Sequence, residues 1–180
     1  LWSLAYAAQL SAATLAGTLL WNRLVWIGAA ALAVAWPAFV FASVDWTAWL
    51  RPTRIAVLAL VPATVGGAVL LAGPDPLFYG SPSLAEANGY QVLEFLPTPA
   101  LGGFIAYTYA VNLCTFGVLG AAALANDGLF RRQAALLLIA GVAPMAAGVA
   151  GVAGLLGPQF VDHTPVTFAA TSGILGWVVF

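Results

Sequence analysis

The sequence predicts an all-α bundle of membrane-crossing helices, and three observations carry that prediction. Hydrophobic residues make up 63% of the 180-residue chain and charged residues only 6%. Mean hydropathy is +1.00. The few charges and the Pro/Gly clusters divide the chain into apolar stretches of about twenty residues, the length that spans a bilayer. A soluble domain needs about a quarter of its residues charged to solvate its surface, so most of this surface belongs in lipid. No basic leader with a small-residue cleavage site opens the chain, so no signal peptide is expected, and the start at Leu1 rather than Met is read as that of an excised domain.

Six helices are expected, near 1–20, 25–44, 55–72, 99–124, 133–154 and 165–180, the last of them truncated. Three short connections separate them, at 21–23, 45–54 and 126–132. Short connections make successive helices antiparallel, because the next span has no slack to cross over. The long connection 73–98 carries Pro74, Pro76, Pro82 and Pro97 with Phe78, Tyr79, Tyr90 and Phe95, too aromatic for a tether, and is expected to fold over the bundle mouth. Its charges, Asp75, Glu86 and Glu94, are all acidic, whereas Arg51 and Arg54 sit in one short connection and Arg131 and Arg132 in another. Excess arginine marks the cytoplasmic side, against one contrary charge, Arg23. Leu1 and Phe180 are then both expected at the cytoplasmic face.

Small residues recur at helical spacing: Ser3, Ala7, Ser11, Thr14 and Thr18 in the first span, and Gly141, Gly148, Gly151 and Gly154 in the fifth. They let backbones approach closely where lipid removes the hydrophobic drive for association. Pro37, Pro62 and Pro144 lie inside spans, where a missing N–H and a ring clash bend a helix. The single cysteine, Cys114, sits in an apolar run and reads as a small buried side chain; it excludes an internal disulfide and a thiolate metal cluster.

Several chemistries are excluded by count. All five basic residues are arginine, so no lysine is present to form a retinal Schiff base. One histidine, His163, does not supply the axial pair of a membrane haem. The Asp and Glu residues fall in or beside connections rather than at bilayer depth, so no catalytic or metal constellation is expected. A net charge of -1 without a basic run gives nothing to track nucleic-acid phosphates.

Three polar groupings remain. Thr108, Asn112 and Thr115 stand at i, i+4 and i+7 beside Tyr107, and Tyr6 with Gln9 forms an i, i+3 pair, so these six are candidate ligand-lining residues with interhelical pairing as the competing reading. Asp162, His163, Thr164 and Pro165 open the last helix. Thr164 suits a cap, Pro165 the first helical position and Asp162 the positive end of the dipole, and the group is a candidate signalling element.

In order and spacing, WSLAYAAQL at Trp2–Leu10, RPTRIAVLALVP at 51–62, GGFIAYTY at 102–109, RRQ at 131–133 followed by Pro144, and DHTPVTF at 162–168 resemble the N-terminal seven-transmembrane region of prokaryotic sensor histidine kinases, typical of haloarchaea. The resemblance implies a single sensory membrane domain over 1–180, with one helix before Leu1 and a cytoplasmic kinase module after Phe180. It implies an outer N-terminus for the intact domain, a cytoplasmic C-terminus, and a homodimer embedded in membrane lipid. The expected function is therefore non-catalytic input to a two-component kinase through helix repacking. A small multi-pass transporter and a structural membrane anchor are the alternatives.

Overall fold

A computed structural model of the chain describes residues 2–87, 89–152, 155 and 163–179. Helix α1 (Trp2–Leu10) is followed by α2 (Leu15–Ser43), a 3-10 turn (Thr47–Leu50), α3 (Pro52–Ala72), a short α4 (Asp75–Phe78), strands β1 (Tyr79–Ala87) and β2 (Tyr90–Pro97), then α5 (Pro99–Ala125), α6 (Gly128–Val152) and α7 (Thr164–Val179). Among the described residues α2, α3, α5 and α6 are long and apolar enough to cross a membrane. The all-α polytopic bundle is as expected.

The beginning of the bundle differs from the sequence reading, which placed one span over 1–20 and a connection at 21–23. The chain instead breaks after nine residues and restarts as a helix of 29. Thr14 makes the break: its backbone is extended, at φ -131° and ψ 148°, and its side chain accepts the Gly17 N–H at 3.2 Å, as a helix N-cap does. Trp21, Asn22 and Arg23 then continue as helix, because their polarity is met sideways rather than by a turn. The Asn22 amide donates to Gln9 at 2.9 Å, and the Arg23 guanidinium lies against Gly73 at the end of α3.

Helices α1 and α2 form an antiparallel hairpin, with Gln9 beside Asn22 and Trp2 beside Gly28. At 1.5 Å per residue Trp2 therefore lies roughly 20 Å short of the far end of α2. Trp2 is thus level with the middle of α2 rather than with the 45–54 connection.

The 73–98 connection does cover the bundle, but as ordered structure that the sequence reading did not anticipate. Strands β1 and β2 pair antiparallel from Tyr79↔Pro97 to Ala87↔Tyr90, with an irregularity between Gly80 and Ser83 where Ser81 takes φ 53°. Only two residues separate the strands, and Gly89 adopts φ 82°. Such a turn needs left-handed backbone, which glycine supplies without steric cost. Phe78, Tyr79 and Leu93 are buried with Phe104 and Leu101 of α5 and Val69 of α3, so an aromatic cluster seals the hairpin to the helices. Phe78 stacks on Phe104 at 6.0 Å, and Trp26 meets Phe78 at 4.5 Å.

A second core, of Trp36, Val40, Leu119 and Leu137, joins α2, α5 and α6 nearer the other end. There the end of α2 and the start of α6 share a small pocket lined by Ser43, Val44, Phe130 and Gln133. Helix α3 already begins at Pro52 and α6 at Gly128, so Arg54, Arg131 and Arg132 stand within helices rather than in connections as expected; with Arg51, the N-cap of α3, they lie at one end of the bundle, opposite the hairpin. Helix α3 packs chiefly on α2 and leaves Val57, Leu60, Leu70 and Leu71 more than 60% exposed, a surface suited to lipid and costly in water. Cys114 is also exposed on α5, contrary to the buried placement expected for it. An apolar run does not distinguish core from lipid, because both solvents are apolar.

The small-residue stripe of α6 has a direct steric role. A Cβ on Gly141 would stand 2.7 Å from both Phe116 and Trp36. Gly154 lies outside the described residues. Gly141→Leu should destabilise the bundle by about 1–3 kcal/mol through overpacking. Gly117→Leu, at a site with nothing within 4 Å, should stay within about 0.5 kcal/mol of wild type. Thermal unfolding in detergent checks this, and equal midpoints for the two variants would contradict the packing.

Candidate functional site

Helical periodicity places one stripe of α2, α5 and α6 on a common interior, to which α3 contributes none of the described lining residues. On α2 the stripe is Asn22, Trp26, Ala29, Ala33 and Trp36, at steps of three and four. On α5 it is Leu101, Phe104, Thr108 and Asn112, and on α6 Gly141, Pro144, Met145, Gly148 and Gly151. Trp2, Tyr6 and Gln9 of α1 close one side, and His163, Thr164 and Phe168 at the start of α7 close another. The hairpin roofs the space with Tyr79, Leu93 and Phe95. These walls enclose a cavity of about 420 Å³, within the range of small-molecule sites. The α6 wall of the cavity is formed by Gly141, Gly148 and Gly151 beside Pro144 and Met145.

A chain of hydrogen bonds runs along the roofed end. The Trp26 indole N–H donates to the Tyr79 hydroxyl, which donates to Asn22 Oδ1 at 2.8 Å, and the Asn22 amide donates to Gln9 Oε1 at 2.9 Å. The chain links α2, β1 and α1. Asn22 is 5% exposed and Gln9 6%, so each would carry a large desolvation cost without its partner.

Two described residues of the lining carry a buried polar atom that the fold leaves unmatched. Trp2 Nε1 and His163 Nε2 are buried without a hydrogen-bond partner among the described residues. The segments that carry them pack together: Ser3 donates to the Pro165 carbonyl at 2.8 Å, and the Trp2 ring lies 6.0 Å from Phe168. No Asp, Glu, Lys or Arg is among the described residues of the lining.

The residues singled out from sequence divide clearly. Tyr6, Gln9, Thr108, Asn112, His163 and Thr164 line the cavity. Thr108 donates its hydroxyl to its own helix at Ile105. Tyr107 instead donates to the Leu58 carbonyl and ties α5 to α3, away from the cavity. Thr115, 1% exposed, donates to Val111 of its own helix. Helix α7 begins at Thr164, so His163 holds the cap position expected for Thr164, Thr164 the first helical position expected for Pro165, and Pro165 follows in the first turn; Asp162 is outside the described residues. Arg51, Arg54, Arg131 and Arg132 are exposed at the end opposite the hairpin. Arg54 sits 4.9 Å above the Trp49 ring and donates to the Ala48 carbonyl, beside exposed Trp46, an arrangement typical of a membrane interface.

Sequence reading missed Asn22, Trp26, Tyr79 and Trp2. The sign for Asn22 was present: Thr14, Thr18, Asn22 and Trp26 follow one another at i+4, so the helical period runs through the supposed connection.

A profile described as the N-terminal 7TM region of histidine kinase matches residues 1–180. The chain belongs to that family. No match is found among curated proteins or among solved structures. Family membership and the apolar helices together make this a multi-pass membrane domain of histidine-kinase signalling. The cavity and its hydrogen-bond chain are thus features inside the membrane region of a sensor.

The chain of bonds makes a specific prediction. Tyr79→Phe keeps the ring contacts with Trp26 and Phe95 but removes the hydroxyl that bridges Trp26 and Asn22. It should cost about 1–3 kcal/mol, since buried partners are left unsatisfied. A lowered unfolding midpoint in detergent is expected, and an unchanged midpoint would show that the bridge contributes nothing.

Proposed function

We propose that this bundle is the input domain of a two-component sensor histidine kinase and that the state of its cavity is passed to a kinase module of the same chain through the packing of α7. One observation carries the reading: the first turn of α7 forms part of the cavity wall. Thr164 Oγ1 would be 2.7 Å from a Cβ on Gly148, so α7 and α6 meet there with no space to spare, while the Pro165 carbonyl is held by Ser3 of α1. A molecule that enters or leaves the cavity changes what these contacts can be. Two packings that differ by a few kcal/mol are enough for a stimulus to shift their populations.

The arginines set the orientation in this reading. Arg51, Arg54, Arg131 and Arg132 mark the cytoplasmic end, and Arg23 is the single charge of that sign at the hairpin end. Helix α6 runs away from the cytoplasmic end and α7 returns toward it, so α7 leads from the cavity to where a kinase would receive the signal. A homodimer is the expected working unit, as the family resemblance implies. The segment itself needs no cofactor for this role, since its part is to bind and repack.

Orientation is tested with cysteines placed in a Cys114→Ala background. A cysteine at Ser83, on β1, should react with an impermeant thiol reagent added outside intact cells. One at Asp127 should react only after permeabilisation, and the reverse pattern would invert the topology. The signalling reading is tested in the full-length kinase with Thr164→Ala, combined or not with Asp162→Ala. A local packing change of about 1–2 kcal/mol is too small to prevent insertion, yet it shifts a two-state ratio roughly 5–30-fold. Basal autophosphorylation should therefore change several-fold at normal membrane abundance. Wild-type phosphorylation in both variants would show that the start of α7 is only structural.

A further inference from the structure

We propose that the cavity is a binding site for a neutral, lipid-soluble molecule with a flat apolar body and one hydrogen-bond-accepting oxygen, of the aryl ketone or quinone type. The proposal rests on the sensory reading only for its consequence, and on the cavity itself for its chemistry.

Charge decides the first property. No Asp, Glu, Lys or Arg is among the described lining residues, so a carboxylate, phosphate or ammonium ligand would find no carboxylate, ammonium or guanidinium partner there, at a cost that lipid burial does not offset. Access decides the second: the surrounding surface is apolar and belongs in lipid, so a ligand that partitions into the bilayer is already concentrated at the site. Shape follows from the walls. Trp2, Trp26, Trp36, Phe104 and Phe168 present ring faces and edges, which favour an aromatic or planar body over a branched chain.

The polar end is set by the unmatched atoms. An indole N–H is a donor only, so Trp2 Nε1 requires an acceptor. His163 Nε2 is buried without a described partner and lines the same cavity. A carbonyl oxygen has two lone pairs, and it satisfies both groups when His163 carries its proton on Nε2. A hydroxyl also satisfies both, by accepting from Trp2 and donating to an unprotonated Nε2. An apolar hydrocarbon satisfies neither, and each buried polar group then keeps its desolvation cost.

Benzophenone is a direct probe, since it is a neutral aryl ketone that photolabels nearby C–H bonds and reacts readily beside methionine sulfur. Met145 is the one methionine of the sequence and lines the cavity. With the protein in lipid nanodiscs, irradiation with benzophenone should place the label at Met145. Competition should rank benzophenone and 9-fluorenone at least about tenfold above diphenylmethane, which has similar shape and no oxygen. Benzhydrol, the corresponding alcohol, distinguishes hydroxyl from carbonyl: equal competition would overturn the ketone assignment in favour of any acceptor oxygen. Trp2→Phe keeps the ring against Phe168 and removes the N–H, and should reduce the ketone preference over diphenylmethane several-fold. Diphenylmethane competing as well as benzophenone, or label spread over the outer face of α3 at Val57 and Leu71 with none at Met145, would overturn the proposal. The same ligands added to the full-length kinase separate the two readings. Oxygen-selective labelling without any change in autophosphorylation supports the ligand class and counts against the sensory role, whereas altered autophosphorylation without labelling at Met145 does the opposite.

Discussion

Burying amide and hydroxyl groups within a lipid-surrounded bundle is the constraint from which the rest of this architecture follows. Gln9, Asn22 and Tyr79 are all nearly inaccessible, and lipid offers none of them a partner. They can be buried only together, with Asn22 between Gln9 and Tyr79 and Tyr79 against Trp26. That requirement draws α1 antiparallel onto α2 and fastens the hairpin to the helices. The aromatic cluster of Phe78, Trp26 and Phe104 supplies contact area around the polar chain and excludes competing water. Each part needs the other, since the rings alone do not specify register and the hydrogen bonds alone are weak where water can reach them.

The cavity is the complement of that arrangement. Where the roofed end is closed by side chains that satisfy one another, the wall of α6 is made of residues that fill little space. Gly141 admits Trp36 and Phe116, and Gly148 admits Thr164. Small residues usually bring membrane helices together. Here they bring α6 close to α7 and to the large side chains of α2 and α5, while the remaining interior stays open. Tight contact and open volume therefore lie on the same helix.

The family resemblance read from short motifs corresponds to these positions in physical terms. Trp2–Leu10 is the helix that carries Trp2, Tyr6 and Gln9 into the cavity, and Thr164 to Phe168 form the turn of α7 that meets them. The arginine motifs lie at the opposite end, where Trp46, Trp49 and Arg54 form an interfacial cluster. One set of motifs thus marks the interior and another marks the membrane boundary.

The sequence by itself determined the solvent of this protein, the approximate length of α3, α5 and α6, the clustering of its arginines and, through Tyr6, Gln9, Thr108, Asn112, His163 and Thr164, a good part of its cavity. Those properties are local or cumulative: hydropathy sums along a window, and polar residues at helical spacing share a face whatever lies opposite. The tertiary structure decided that 21–23 is helix rather than connection, that Tyr107 turns to α3 rather than inward, and that Cys114 faces outward. It also decided that residues 79–97 form a hairpin, although Asn88 and Gly89 stand in the sequence as a two-residue turn signal between pairable segments. Each of these depended on a partner distant in the chain. Asn22 can remain in a helix because Gln9 is across from it, and an apolar stretch alone cannot say whether its apolar neighbour is protein or lipid.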